Sequence, residues 1–257
     1  MQLFKVNTQL IKPGDNLIKT ILNALDKQKL TIEDGDLLAI ASKIVATVEG
    51  RLKKLSSTEP SEEAKKLAKY YNLEPNFVEI VLQESKLIYG GVSKALLTLK
   101  NNVLTANAGV DHKNVPRGYV ALWPKNSQKS AEKIREEIQK RTDKHVGVLI
   151  IDSRVTPLRM GTTGVALGIA GFEPVRDYRF KKDLYGNPIL ITRHAIADDI
   201  ASAAHLMMGE SDEQTPIILI KNAPVKTCEK VNHKSTLIPT KECLFMKLLS
   251  QSITKPR

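Results

Sequence analysis

Three acidic residues stand where regular elements of the chain are expected to end. Asp111 follows a predicted hairpin, Asp152 a predicted buried strand and Glu210 a predicted helix. Carboxylate oxygens are hard ligands of the kind that Mg²⁺ or Mn²⁺ prefers, and Ser153 adds a hydroxyl beside Asp152. If these four residues converge in the fold, they can hold divalent cations that keep positions open for phosphate oxygens. Taken singly, each acid has the simpler explanation of an ordinary loop carboxylate.

Two basic residues and one amide could contact a phosphate-bearing ligand. Arg159 and Lys43 could neutralise the charge that grows on phosphate oxygens during transfer. Asn114, three residues beyond Asp111, could hydrogen-bond a base or a ribose. The alternatives are that both cations are solvated surface residues and that Asn114 caps its turn.

Other site chemistries lack their characteristic spacing in this chain. Gly164, Gly168 and Gly171 do not match G-x-G-x-x-G, so a Rossmann dinucleotide site is not indicated. The histidines have no serine or cysteine partner at a spacing diagnostic of a nucleophilic triad. Asp198 and Asp199 open a predicted helix, where negative charge complements the helix dipole and gives them a structural explanation.

The elements that position these residues are predicted from hydrophobic periodicity. The aliphatic run at 148–151 indicates a strand covered on both faces, with Asp152 leaving the sheet at the edge where open α/β sheets bind ligands. Asn101-Asn102 tolerates the positive φ angles of a two-residue hairpin turn. Further strands are predicted at 37–41, 188–195 and 215–221, and helices at 17–25, 61–71, 75–85, 130–141 and 196–208. Because strands and helices mix without strict βαβ alternation, we expect an α+β fold of mixed sheets with packed helices in two interlocked lobes.

Composition narrows the class of protein. The 257 residues carry a formal net charge of +11, of which +6 falls after residue 220. No run interleaves basic residues with stacking aromatics, so nucleic-acid binding is not favoured, although a basic RNA-binding protein stays open as an alternative.

No apolar stretch approaches eighteen residues and the N-terminus does not resemble a signal peptide, so we expect a cytoplasmic protein without a membrane span. Cys228 and Cys243 are expected to be reduced thiols.

Several motifs, taken in order, resemble one family. The segments are "IKPGDNL", "EDGDLLAIASKIVATVEGR", "ANAGVDHKNV", "IIDSRVTPLRMGTTGVALGIAG", "KDLYGNP", "AIADDIASAAHLMMGE" and "TPIILIK". Together they resemble the coenzyme F420-0:L-glutamate ligases, the gamma-glutamyl ligases of deazaflavin biosynthesis. The resemblance implies the fold of that family over residues 1–221, followed by a basic C-terminal extension at 222–257.

The resemblance also implies a set of site residues, a nucleotide and metal ions. Members of the family bind GTP as co-substrate and two divalent ions, Mg²⁺ or Mn²⁺, at each site. By position, the metal ligands would be Asp111, Asp152, Ser153 and Glu210. The GTP contacts would be Thr8, Gln9, Leu10, Ile11, Ser42, Lys43, Asn114 and the stretch 208–215, which contains Met208, Gly209 and Ser211.

The implied reaction is amide formation. The γ-phosphoryl of GTP would activate a carboxylate of the acceptor, and the amine of L-glutamate would displace the phosphate. Asp152 and Arg159 are the residues predicted to take part in catalysis. The resemblance also implies a homodimer, because members of the family form one. The sequence itself adds only the apolar hairpin at 96–106, which we expect to need a partner surface.

Two departures from the family pattern leave alternatives open. Ala46-Thr47 stands where the family commonly has Ser-Lys, and "SRVTPLR" replaces a Gly-Arg-Pro-Trp-Arg-like loop after Asp152. Lys43 could substitute for the missing lysine. A folate-type gamma-glutamyl ligase, or a non-catalytic nucleotide- or cofactor-binding module, would also fit these changes.

Overall fold

The computed structural model describes residues 1–249. They form two compact units, each assembled from separate stretches of the chain. Unit 1 comprises residues 1–49, 124–153 and 162–236, and unit 2 comprises residues 50–123, 154–161 and the stretch from 237 onward. Helices and several sheets are mixed in the chain, which confirms the predicted α+β class.

The elements have the following bounds. The strands are β1 (Gln2–Val6), β2 (Leu37–Ala41), β3 (Leu52–Lys54), β4 (Leu87–Val92), β5 (Ala95–Lys100), β6 (Val103–Ala106), β7 (Tyr119–Ala121), β8 (Gly147–Val155), β9 (Thr162–Ala170), β10 (Arg176–Asp177), β11 (Arg193–His194) and β12 (Ile217–Lys221). The helices are α1 (Leu17–Lys27), α2 (Ser42–Val48), α3 (Glu62–Tyr71), α4 (Pro75–Glu84), α5 (Ser127–Thr142), α6 (Ile196–Met208) and α7 (Leu244–Leu249).

Unit 1 is built on a sheet with the strand order β1-β12-β2-β8-β9. β12 pairs antiparallel with β1 and with β2, whereas β2 and β8 run parallel. Alternate residues of these strands belong to two separate hydrophobic cores, one on each face. The first includes Leu38 and Ile40 with α1 and α5, and the second includes Leu37 and Ala39 with α6. Burial on both faces explains why the central strands are aliphatic without polar alternation.

Helices α5 and α6 approach the edge strand β9 closely at two glycines. A Cβ on Gly164 would lie 2.3 Å from the Ala201 carbonyl oxygen of α6, and one on Gly168 would lie 2.1 Å from the Ser127 carbonyl oxygen of α5. Two of the three glycines that failed to match a dinucleotide motif therefore allow close helix packing.

Unit 2 places the helices α3 and α4 against two small sheets, β4-β5-β6 and β3-β7. The hairpin of β5 and β6 turns at Asn101 and Asn102, whose φ angles are +49° and +62°. The predicted two-residue turn is confirmed. Leu96 and Leu99 of this hairpin are buried within the unit, so these two residues are not available to the partner that we expected the hairpin to attract.

One predicted strand is wrong. Residues 188–195 contribute only the two-residue strand β11, which pairs with β10, and the Phe180 and Lys181 main chains bond irregularly to Ile189. This arm, residues 178–194, leaves Leu190 and Ile191 mostly exposed. Aliphatic content alone predicted a strand, but none of the three hydrophobic clusters of the described residues includes this segment.

Among residues 1–249, none of the helices has both the length and the apolar character that crossing a bilayer requires.

Candidate active site

The polar segments of unit 1 meet at one edge of its sheet. Hydrogen-bonded pairing places Val6, Ile217, Ile40 and Ile150 in one row across β1, β12, β2 and β8. Beyond this row the strands lead into Asn7 and the residues after it, Thr215, Ser42 and Asp152. Because β2 and β8 are parallel, both present their carboxyl ends here, which is where open α/β sheets bind ligands.

Main-chain bonds fasten the predicted nucleotide segments to one another at this edge. The Thr8 amide donates to the Gln214 carbonyl at 3.2 Å, and the Ala41 amide, one residue before Ser42, donates to the Pro216 carbonyl at 2.9 Å. The structure therefore brings together the stretches 8–11, 42–43 and 208–215, which are far apart in sequence. Within the first stretch, Gln9 and Leu10 are exposed and Ile11 packs against the first core.

Ser42 and Lys43 open helix α2 directly after β2. Ser42 is buried and Lys43 is half-buried, because α2 packs back on the strand that precedes it. Thr47, the position of the missing lysine, lies one turn further on and is 8% exposed. Its hydroxyl donates to the Lys43 carbonyl at 2.8 Å, so Thr47 is accommodated within the helix.

Asp152 does not end its strand, contrary to our expectation. β8 continues through Ser153 and Arg154 to Val155, and the Ser153 amide donates to Asp152 Oδ1 at 2.9 Å. The aliphatic run marks only the part of β8 that the cores cover, and the last residues of the strand are no longer fully buried. Asp152 and Ser153 are both half-buried and thus accessible.

Glu210 follows the C-terminus of α6, as predicted, and is held by two side chains. Thr162 Oγ1 donates to Glu210 Oε1 at 2.7 Å, and His205 Nε2 lies 2.8 Å from the same oxygen. Sequence reasoning missed both partners. His205 stands five residues before Glu210, in the last turn of α6, and that spacing was the available signal.

The Glu213 side chain closes the loop that follows α6. The Ser211 amide donates to Glu213 Oε2 at 2.8 Å, and a Cβ on Gly209 would lie 2.1 Å from Glu213 Oε1. Main-chain N–H groups of the loop, first that of Glu213 itself and then that of Ser211, hold the pKa of Glu213 below its ordinary value. The segment from Met208 to Thr215 is therefore a tight, ordered turn.

The helix acids that we explained by the helix dipole also make specific contacts. Asp198 Oδ1 accepts the Ala166 amide of β9 at 3.0 Å, and Asp199 bonds to His194 of β11. On the other side of β9, the Gln128 side chain exchanges two hydrogen bonds with the Ile169 main chain. Side chains of α5 and α6 thus form hydrogen bonds with main-chain groups of Ala166 and Ile169 in the edge strand β9.

The remaining predicted site residues belong to unit 2. Asp111 is half-buried, exchanges main-chain bonds with Ala121, and accepts the Lys113 amide at Oδ1, 2.9 Å away. Asn114 is exposed with a φ of +56°, and Arg159 is exposed in the segment 154–161. Asn114 thus has the left-handed conformation that asparagine adopts in turns.

The donor set suits a hard divalent cation by its chemistry. Asp111, Asp152 and Glu210 offer carboxylate oxygens and Ser153 a hydroxyl, and all four side chains are at least partly accessible. Among the described residues, no group of three or more histidines, cysteines or acids is placed to hold a metal ion. The assignment of these four residues as ligands of a divalent cation therefore depends on the chemistry of their oxygen atoms.

Comparison with known proteins identifies the family. Residues 5–222 match the model of the F420-0:Gamma-glutamyl ligase family. The chain belongs to this family. Over 195 residues it is 40% identical to the coenzyme F420:L-glutamate ligase of Methanocaldococcus jannaschii, covering 76% of this chain and 78% of that protein. Over 216 residues it is 37% identical to the protein of the same name from Methanothermobacter thermautotrophicus, covering 84% of this chain and 86% of that protein. The resemblance read from the motifs and the assignment to the ligases that form carbon–nitrogen bonds are confirmed.

Proposed function

We propose that this protein joins L-glutamate through an amide bond to a carboxylate of coenzyme F420-0 or a closely related acceptor. The observation that carries the proposal is the similarity over most of the chain to ligases whose names state this reaction. It is supported by the meeting of three family segments at one edge of the unit 1 sheet.

The chemistry proposed for the activation step is phosphoryl transfer from GTP. The acceptor carboxylate attacks the γ-phosphorus, GDP leaves, and an acyl phosphate forms. The glutamate amine then attacks the acyl carbon, inorganic phosphate leaves, and the amine loses a proton as the amide forms. Positioning and charge stabilisation dominate catalysis of phosphoryl transfer, so neither a Walker A lysine nor a covalent nucleophile is required.

Most of the residues proposed for nucleotide contact lie in the segments 8–11, 42–43 and 208–215 of unit 1, and Asn114 and Arg159 lie in unit 2. Lys43 and Arg159 would offset the negative charge of the phosphates, and the stretches 8–11 and 208–215 would enclose the nucleotide together with Ser42 and Asn114. The order of the turn at 208–215 supports this assignment, because a turn that is already closed loses little conformational entropy when it binds a ligand.

Asp111, Asp152, Ser153 and Glu210 are the residues that would hold Mg²⁺ or Mn²⁺. A bound divalent cation would neutralise phosphate charge and orient the phosphates for transfer. His205 and Thr162 would hold the Glu210 carboxylate in place for that purpose, since both contact its Oε1 atom.

The homodimer also belongs to this proposal, and the arm at 178–194 is its best support. Phe180, Leu184, Tyr185, Leu190 and Ile191 are between 68% and 101% exposed. Single exposed apolar residues are ordinary, but a run of this kind favours a protein interface. We propose that this arm, and not the β5-β6 hairpin, contacts a second copy of the chain.

The decisive experiment follows the product by mass spectrometry. Purified protein is incubated with F420-0, GTP, Mn²⁺ and isotopically labelled L-glutamate, and each component is omitted in turn. We expect an acceptor that carries labelled glutamate, with GDP and phosphate released in equal amounts. A folate acceptor in place of F420-0 tests acceptor class, and absence of product from either acceptor, with GTP still bound, would assign the chain to nucleotide binding alone.

A matched pair of variants tests the metal site in the same assay. Asp152→Asn should abolish turnover and leave the fold intact, because Asp152 is accessible at the sheet edge and its charge serves the cation. Asp26→Asn, an exposed acid on α1, should behave as the unmodified protein. Full activity of Asp152→Asn at saturating Mn²⁺ would exclude Asp152 as a metal ligand.

A further inference from the structure

A strained turn precedes Asp111 in unit 2. Asn107, Ala108 and Gly109 have φ angles of +50°, +53° and +69°, so three successive residues adopt the left-handed region. Ala108 has neither the side-chain hydrogen bonding of asparagine nor the freedom of glycine to favour that region. Sparsely populated backbone conformations persist only where the surroundings impose them, and they cluster at functional sites.

Three contacts from strand β5 impose the turn. The Leu96 amide donates to Asn107 Oδ1 at 2.8 Å, and Thr98 Oγ1 accepts the Ala108 amide at 2.8 Å. Lys100 Nζ donates to the Ala108 carbonyl at 3.2 Å. Thr98 and Lys100 are two residues apart and thus share one face of the strand, so together they satisfy both polar groups of the fully buried Ala108.

The Lys100 ammonium is itself fixed. Its side chain is only 8% exposed, and Nζ lies 2.6 Å from Glu84 Oε2 and 5.2 Å from the centre of the Trp123 ring. Arg51 Nη2 bonds both Glu84 oxygens at 2.9 Å. A lysine is rarely buried without such compensation. One hydrogen bond of this ammonium goes to the main-chain carbonyl of the strained residue, Ala108.

The same surroundings fix the main chain that leads to Asp111. A Cβ on Gly109 would lie 2.2 Å from Trp123 Nε1, so the turn passes directly against the indole. Two residues later Asp111 exchanges main-chain bonds of 3.0 and 2.8 Å with Ala121. The turn therefore determines where Asp111 leaves the packed part of unit 2.

We infer that Lys100 is a positioning residue: its buried ammonium, with Thr98, imposes the left-handed turn that presents Asp111 to a divalent cation. This inference rests on the proposed function, in which Asp111 is a metal ligand. Residues that orient metal ligands without touching the metal typically contribute tenfold to a hundredfold to metal affinity.

The test measures Mn²⁺ binding by electron paramagnetic resonance of the free ion, alongside thermal unfolding. Lys100→Met removes the ammonium and keeps the apolar stem, and we expect Mn²⁺ binding to weaken about tenfold or more. Lys86→Met removes an exposed lysine of the same unit and should bind Mn²⁺ as the unmodified protein does. Unchanged Mn²⁺ affinity in Lys100→Met would overturn the inference, whatever its melting temperature, because a purely structural lysine would change stability alone.

A second pair keeps the test decisive if Lys100→Met does not fold. Thr98→Val preserves shape but removes the acceptor of the Ala108 amide, whereas Thr98→Ser retains it. We expect weaker Mn²⁺ binding in the valine variant and recovery in the serine variant. Equal binding by both would overturn the inference.

Two further arms separate this inference from the proposed function. The unmodified protein must bind Mn²⁺, and Asp111→Asn must weaken that binding. If either fails, the metal site itself is wrong and the positioning role falls with it. If both hold and Lys100→Met binds normally, only the positioning role is lost.

Discussion

Replacing Glu84 with glutamine should destabilise the protein in a pH-dependent way. Glu84 is the last residue of α4, its side chain is 17% exposed, and it receives hydrogen bonds from both Lys100 and Arg51. Glutamine keeps one acceptor oxygen but removes the charge, so Arg51 and Lys100 would lose the carboxylate that pairs with both of them in a partly buried site. Removing one partner of a buried pair costs about 3–5 kcal/mol.

The geometry places the expected loss near the lower end of that range. Arg51 keeps a bond to the Trp123 carbonyl at 3.1 Å, and its side chain is 28% exposed, so water offsets part of the lost interaction. We therefore expect a loss of about 3 kcal/mol at neutral pH. At about 3 °C for each kcal/mol in a protein of this size, the midpoint of thermal unfolding should fall by about 9 °C.

The pH dependence has a definite sign. Burial alone would raise the pKa of Glu84, but the hydrogen bonds and charges of Lys100 and Arg51 outweigh it and hold that pKa below its ordinary value of 4.5. A carboxylate with a lowered pKa contributes its full stabilisation above the unfolded-state pKa and loses it as pH falls through the folded-state pKa. The difference between the two proteins should thus be constant above pH 4.5 and shrink below it.

The assay is thermal unfolding followed by circular dichroism at several pH values between neutral and strongly acidic. Glu59→Gln changes an exposed acid of the same unit and serves as the control, since it should lower the midpoint little at any pH. A Glu84→Gln midpoint equal to that of the unmodified protein at neutral pH, or a difference that persists undiminished in acid, would refute the reasoning.

Three further outcomes are expected. Lys43→Ala should weaken GTP binding about tenfold in an equilibrium titration, which is equivalent to about 1.4 kcal/mol. The control Lys133→Ala, at an exposed site on α5, should leave GTP affinity unchanged. Unchanged GTP affinity in Lys43→Ala would place Lys43 outside the nucleotide site. Gly168→Ala should lower the midpoint of thermal unfolding by several degrees, because the alanine methyl group would meet the Ser127 carbonyl and overpacking costs about 1–3 kcal/mol. An unchanged midpoint would contradict this prediction and show that α5 can move away from β9 freely. Leu184→Glu should shift the mass in solution from dimer to monomer by light scattering, and a monomeric unmodified protein would contradict the proposed interface.

The local sequence pattern was sufficient to predict most of the strands and helices. The strand at Leu37–Ala41 and the close of the late helix at Met208 appear as predicted, because aliphatic runs and helical periodicity depend on neighbouring residues alone. The same logic failed at 188–195, where an aliphatic run lies exposed in an arm. Whether such a run is covered depends on the rest of the fold, so local pattern cannot decide it.

By itself the sequence determined most of the elements, the turn at Asn101-Asn102, the order of the family motifs and the chemistry of the candidate ligands. Only the tertiary structure decided which strand ends lie side by side at one edge of the sheet. The row from Val6 through Ile217 and Ile40 to Ile150 joins residues up to about two hundred positions apart, and strand order, which no local pattern encodes, sets that register. The role of Lys100 is of the same kind: in sequence it is one lysine among many, and its partners at Glu84, Ala108 and Trp123 become visible only when the chain folds around them.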